Sequence, residues 1–299
     1  MDQYTEMKQG EKGAWLSLAA YILLTILKLY IGYAYLSEAL TADGLNNATD
    51  IFVSLAVLVG LKISQKPPDH NHRYGHFRAE TVASLVASFI IAAVGLQVIY
   101  LAVSKSITGV HETPDMTAAW TALACSAVMF AVYAYNSRLA AKINSGALAA
   151  AAEDNRSDAL VSIGAFAGIV GAQFGMPWLD PAAAFIVGLL ICKTAYRIFH
   201  DATHALTDGF DDKQLKEYKQ TIEATAGVKR VADLKARTHG NQILLDVTIL
   251  VDPRLTIVEG HQISDEIEKR MLQAHQISHV HIHVEPQSPM IGAKVETRS

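Results

Sequence analysis

Apolar residues gather into long runs with short polar links until about Thr207, after which they alternate with charged ones. A bilayer core of about 30 Å takes roughly 20 apolar residues of helix to cross. Six stretches reach that length: Ala14–Tyr35, Leu40–Ile63, Ala79–Ser104, Met116–Asn136, Ala147–Gln173 and Pro177–Phe199. The first does not read as a cleaved signal peptide. It lacks a short apolar region ending at a small-residue cleavage site, and further spans follow at once. Six crossings leave both termini on one side, and the lysine and arginine of the short loops decide which. Lys8, Lys12, Lys62, Lys66, Arg73, Arg78, Arg138 and Lys142 fall on the terminal side, with Lys193 and Arg197 near the last helix end. The opposite loops offer Lys105 alone. A multi-pass protein of the cell membrane with cytoplasmic termini is expected.

The remainder reads as a soluble α+β domain. Asp211–Ala226 has helical charge patterning, Val228–Arg237 reads as a strand, and Thr256–Ala274 as an amphipathic helix. In Ile243–Val251 the residues Ile243, Leu245, Val247, Ile249 and Val251 share one face, with Asp246 and Thr248 on the other. Ser278–Glu285 alternates in the same way. The order αββαβ predicts a small sheet with helices on one face. The expected layout is a cytoplasmic N-terminal segment over 1–13, a six-helix membrane domain over 14–206, a cytoplasmic domain over 207–288 and a flexible tail over 289–299.

Composition narrows the class further. Of 299 residues, 51% are hydrophobic and 18% charged, against about 25% charged in ordinary soluble chains. These figures exclude a disordered chain, a fibrous repeat and a disulfide-stapled module. The net charge of −4 provides no basic footprint for nucleic acid. Cys125 and Cys192, both inside apolar runs, make neither a disulfide framework nor a thiolate metal cluster.

The candidate chemistry lies in acids placed where hydrocarbon should exclude them. Asp43 and Asn47 stand four apart in the second span, and Asp154 and Asp158 repeat that spacing in the fifth. An ionised carboxylate in the bilayer centre costs at least about 2.5–3.5 kcal/mol. A divalent cation bridging the two helices would offset that cost, held by three carboxylates and an amide carbonyl. The alternative is interhelical hydrogen bonding, or helix-end acids facing headgroups. Asn46, Asp50, Glu153 and Asn155 lie close by in sequence and are read as supporting groups or an access path. Arg156 should point away from the site, toward an acid on another helix or a lipid phosphate. Lys28, in the first span, either snorkels or pairs.

Two more clusters carry ligand chemistry. The loop Pro67–Glu80 holds Asp69, His70, His72 and His76 on a segment stiffened by two prolines, which suits a metal site or a solvated loop. In the last strand His279, His281, His283 and Glu285 project from one face, while Val280, Ile282 and Val284 fill the other. His239, in the turn Thr238–Asn241, is expected to be solvent-exposed.

The six spans, the paired four-residue spacings, the loop ending Gly75-His76-Phe77-Arg78-Ala79-Glu80 and the αββαβ tail together resemble the cation diffusion facilitator family. The resemblance covers about residues 10 to 288 and implies an α-helical membrane protein with six transmembrane helices. The cytoplasmic domain it implies is ferredoxin-like, of metallochaperone type. It implies a homodimer, set in membrane lipid, that exports divalent metal from the cytoplasm in exchange for protons, with no organic cofactor. It also implies a transport site of Asp43, Asn47, Asp154 and Asp158 and a loop site of Asp69, His72 and His76. A cytoplasmic-domain metal site would use Asp246, His261, His283 and Glu285, and Arg78 would pair with Asp208 where the membrane and soluble domains meet. Ala232 stands where the family often has histidine, which leaves a binuclear cytoplasmic site incomplete. The transport site lacks the histidine of zinc-transporting members, and an all-oxygen set suits Mn²⁺. The branch resembled is therefore the manganese type, with Fe²⁺, Zn²⁺ or Co²⁺ as alternative cargo.

On that reading the second and fifth helices move together and present the acids to each side in turn. Protons and metal compete for the same oxygens. A metal channel without proton coupling is the competing reading, and it calls for polar stripes on several helices, whereas the sequence displays them on two. A membrane metalloenzyme would need a set such as His-Glu-x-x-His, which does not occur.

Overall fold

The computed structural model describes residues 3–64, 66–108, 113–143, 146–239 and 242–287. Among them eight α-helices and three β-strands follow one another: α1 (Gln3–Ala34), α2 (Glu38–Ser64), α3 (Ala79–Thr108), α4 (Met116–Ile143), α5 (Gly146–Gln173), α6 (Leu179–Leu206), α7 (Asp212–Glu223), β1 (Arg230–His239), β2 (Gln242–Val251), α8 (Ile257–His275) and β3 (His279–Pro286). The chain divides into two units, one of Met1–Val59 and Ala83–Phe199, the other of Gly60–Val82 and His200–Ser299.

The first unit is a bundle of long helices turned inside out by soluble standards. Leu23, Ile26, Phe89, Leu96, Ile107 and Ile186 are each more than half exposed, the arrangement expected where the surrounding solvent is lipid. Among the described residues, Trp15–Ala34, Ala79–Thr108, Met116–Lys142 and Leu179–Leu206 are long and apolar enough to cross a membrane. The interior uses small side chains instead. Ala39, Ala118, Ala119, Ala122 and Ala165 pack α2 against α4 and α5, and Ala42, Ala184 and Ala195 join α2 to α3 and α6. Helices in lipid gain nothing by burying Leu from hydrocarbon, so close backbone approach holds them instead. Gly95 shows how close that approach is. A Cβ there would meet Cys192 Sγ at 2.7 Å and the Cys192 backbone nitrogen at 3.1 Å.

All six apolar stretches form helices, and several run past them. α4 continues to Ile143 and α6 to Leu206, because their polar ends contain good helix formers and no proline. For the same reason α1 starts at Gln3, so residues 3–13 are helical and continuous with the apolar stretch, where the sequence suggested a separate segment. The expected tail over 289–299 lies outside the described residues.

In the second unit, α7 is capped by Asp211, whose carboxylate accepts from the backbone N–H of Lys213 and Gln214. α8 opens on a reciprocal capping box between Thr256 and Glu259. β1 pairs antiparallel with β2, and β2 pairs parallel with β3 in the register Asp246 opposite His281. α8 supplies the crossover that a parallel pair requires. Leu245, Val247, Ile249 and Val251 face the core, where they meet Tyr218 and Ile222 of α7 and Ile267 and Met271 of α8. The sheet has its helices on one face, as the αββαβ reading expects.

Candidate functional site

Buried polar groups in the helical unit converge from α1, α2 and α5. On α1 the residues turned inward include Ser17, Tyr21, Thr25 and Lys28, at helical spacing, while Trp15, Leu16, Ile22, Leu23, Ile26 and Leu27 face out. α1 is thus a third polar face, where the sequence displayed two.

Lys28 resolves the choice left open for it. The residue has no solvent exposure, and its ammonium donates to Asp43 Oδ1 at 3.0 Å, Asn47 Oδ1 at 2.9 Å and Ser162 Oγ at 2.9 Å. Asp43 and Asn47 already hold a cation, a covalently tethered one. That face of α2 packs on α1, whereas the expected ligand set joins Asp43 and Asn47 to the acids of α5. A helix with acids and amides at 43, 46, 47 and 50 offers two four-residue pairs on adjoining faces, and sequence alone does not distinguish which of them meets α5.

The other pair, Asn46 and Asp50, turns toward α5. Asn46 Nδ2 donates to Asp158 Oδ1 at 3.0 Å, and Tyr21 Oη donates to Asp158 Oδ2 at 2.6 Å. Asp50 lies within electrostatic range of Asp158 and Asp154, and its Oδ2 is buried without a hydrogen-bond partner. Asp154, one turn before Asp158, is exposed. Ser162 ties the two groups together, accepting from Lys28 and donating to the Asp158 carbonyl at 3.1 Å. Arg156 pairs with Glu153 of its own helix at 3.1 Å, which corrects the expectation of a partner on another helix or a lipid phosphate. Asn155 donates to Ser17 at 3.0 Å, and so does Asn136 at 2.8 Å.

In the second unit, Asp69, His72 and His76 come together with one ligand atom from each within 4.8 Å of the others. Among the described residues they form the sole such set of His, Cys, Asp and Glu. Asp69 Oδ1 accepts from the backbone N–H of His72 at 2.7 Å and of Asn71 at 2.9 Å. Chiefly through the His72 N–H, these bonds hold the Asp69 carboxyl below the usual carboxylate range. Gly75, at φ +82, makes the turn that brings His76 back beside His72. Arg78 Nη2 donates to Asp208 Oδ1 at 2.6 Å.

The cytoplasmic-domain set is not gathered. Asp246 has His281 as its neighbour at 3.6 Å, as the strand register dictates. His283 pairs with Glu285 at 3.3 Å, and His261 with Asp265 of its own helix at 3.7 Å. His261 is therefore not brought to the strand acids and histidines. His239 is half-buried where full solvent exposure is expected. It ends β1, its Nε2 lies 3.3 Å from the Tyr74 carbonyl, and its ring meets Tyr74 and Phe77 edge-on.

Buried carboxylates and amides among outward-apolar helices, joined to a small α+β domain, define a membrane transporter of cations. The chain belongs to the cation efflux family: residues 14–207 match the cation efflux transmembrane domain and residues 210–287 the cation efflux protein, cytoplasmic domain. It is 57% identical to the manganese efflux system protein MneS of Bacillus subtilis (strain 168), over 96% of this chain and 99% of that one. In the same organism the uncharacterized transporter YdbO is 53% identical over 96% and 99%, and the manganese efflux system protein MneP 34% identical over 93% and 96%. A metal-transporting membrane protein rather than an enzyme is the reading these relatives support.

Proposed function

We propose that this protein exports Mn²⁺ from the cytoplasm in exchange for protons, and that Asn46, Asp50, Asp154 and Asp158 hold the ion in transit. The observation that carries this reading is the Asn46 amide on Asp158 at 3.0 Å, with Asp50 on the same face of α2. That contact joins the two helices that bear the acids. In the cation-bound state the Asn46 amide would turn its oxygen inward, so the ion would meet oxygen from every side. Such a set suits a hard dication such as Mn²⁺ over Zn²⁺, and two relatives are named for manganese efflux. Asp43 and Asn47 serve instead as the seat of Lys28.

Family membership supports the rest of the proposed organisation. α1 to α6 each cross the cell membrane with both termini in the cytoplasm, and two copies of the chain associate as a homodimer. Asp69, His72 and His76 form an accessory metal site on the cytoplasmic loop. Asp246, His281, His283 and Glu285 share one strand face, on which a second copy would have to supply further ligands.

Uptake into proteoliposomes under an imposed pH gradient tests the proposal. Mn²⁺ is expected to exceed Zn²⁺ and Fe²⁺, and Asp50→Ala, Asp154→Ala and Asp158→Ala are each expected to abolish uptake. Full activity in Asp50→Ala would refute the assignment, and a preference for Zn²⁺ would refute the cargo.

A further inference from the structure

We infer that Tyr21 is a positioning residue of the transport site, its hydroxyl competing with the travelling dication for one oxygen of Asp158. The inference rests on the reading above that Asp158 is a ligand. Both Asp158 oxygens are capped by neutral donors from other helices, Oδ2 by Tyr21 at 2.6 Å and Oδ1 by Asn46 at 3.0 Å. Tyr21 is half-buried on the polar face of α1, between Ser17 and Thr25. Tyr30 and Tyr33 of the same helix, by contrast, are 71% and 85% exposed. The placement of Tyr21 is that of a site residue, not of a membrane-interface anchor.

A short O–H···O⁻ bond to a carboxylate is among the stronger hydrogen bonds. A dication that binds through Oδ2 displaces the phenol, which lowers its net affinity. As the dication departs, the phenol reclaims that oxygen, so the carboxylate is not left bare in an apolar interior. Release is eased by the same amount that binding is weakened. The asymmetry between Asp43 of α2 and Asp158 of α5 fits this division. Asp43 is held by the tethered amine of Lys28, whereas Asp158 is held by hydroxyl and amide donors that a dication can displace.

Tyr21→Phe removes one oxygen and keeps the ring. In Mn²⁺ uptake by proteoliposomes, the expected result is a KM about tenfold lower together with a lower turnover, since ground-state competition is removed while release slows. Equilibrium Mn²⁺ titration of the detergent-solubilised full chain should tighten in parallel. Tyr21→Leu, which keeps apolar bulk, is expected to behave likewise. Wild-type KM and turnover in both variants, a raised KM, or lost turnover with KM unchanged would each overturn the inference. Asp158→Asn separates this result from the transport-site reading. If that variant transports normally, Asp158 is no ligand and the site reading fails. If it is inactive while Tyr21→Phe matches wild type, the Tyr21 assignment alone fails.

Discussion

An ammonium with no access to solvent must be paired or neutral, and Lys28 has three oxygens within 3.0 Å, one of them the Asp43 carboxylate. Removing one partner of such a pair leaves the other charge buried alone. Lys28→Met should therefore destabilise the protein by about 3–5 kcal/mol, and Lys28→Met with Asp43→Leu should recover most of the loss. Thermal unfolding of the full chain in detergent would show it as a lowered melting temperature in the single variant that the double variant largely restores. A single variant as stable as wild type would mean that Lys28 is not the partner Asp43 requires. The same residues show how far sequence reaches into the site. That buried acids on α2 and α5 matter was readable from their cost in hydrocarbon. Which pair on α2 faces α5 was not, because Asp43 and Asn47 differ from Asn46 and Asp50 by a rotation about the helix axis that packing alone decides.

Helix and strand positions were readable because their periodicities are strong. Alternation in β2 placed Leu245, Val247, Ile249 and Val251 inward, as observed. Helix ends were not, since apolar runs mark where lipid lies and say nothing of where backbone hydrogen bonding stops. Close packing was hidden too. Gly95 is where α3 and α6 touch. Gly95→Val should overpack that contact and cost about 1–3 kcal/mol, measured as a lower melting temperature, whereas a neutral effect would place the helices farther apart than the 3.1 Å approach to Cys192 implies. In the second unit, the end of β1 meets the 74–77 segment through His239. Burial is the leading cause that lowers the pKa of His239 below its usual 6.5, with Arg78 and Arg237 acting the same way and the Tyr74 carbonyl and Asp208 opposing. A depressed histidine contributes stability that is present above 6.5 and lost as pH falls through the folded-state value. Hydrogen exchange around Tyr74–Phe77 should therefore quicken as pH is lowered from neutral through 6.5 and below, relative to the intrinsic exchange rate. His239→Gln should flatten that response, and an unflattened one would place the titrating group elsewhere.

Across the molecule, charge balance in the lipid-facing unit determines what transport must carry. Lys28 and Asp43 cancel each other. Among the described residues no ion pair involves Asp50, Asp154 or Asp158, so on the proposed reading three carboxylates meet the ion with no cationic side chain paired to them. A bound dication offsets most of that charge, and its departure would leave the carboxylates repelling one another in a medium of low dielectric. On the proposed reading protons are the replacement, and exchange would then be a property of the ligand set and not a separate device. Each proton is worth about 1.4 kcal/mol per pH unit. Two protons per ion would thus sustain about a hundredfold metal gradient for one pH unit. In proteoliposomes, Mn²⁺ accumulation should rise with the imposed pH difference on this slope and stop when an ionophore collapses the gradient. Flux that continues down the Mn²⁺ gradient at an undiminished rate after collapse would identify a channel, and the three acids would then be lining a path and not exchanging their load.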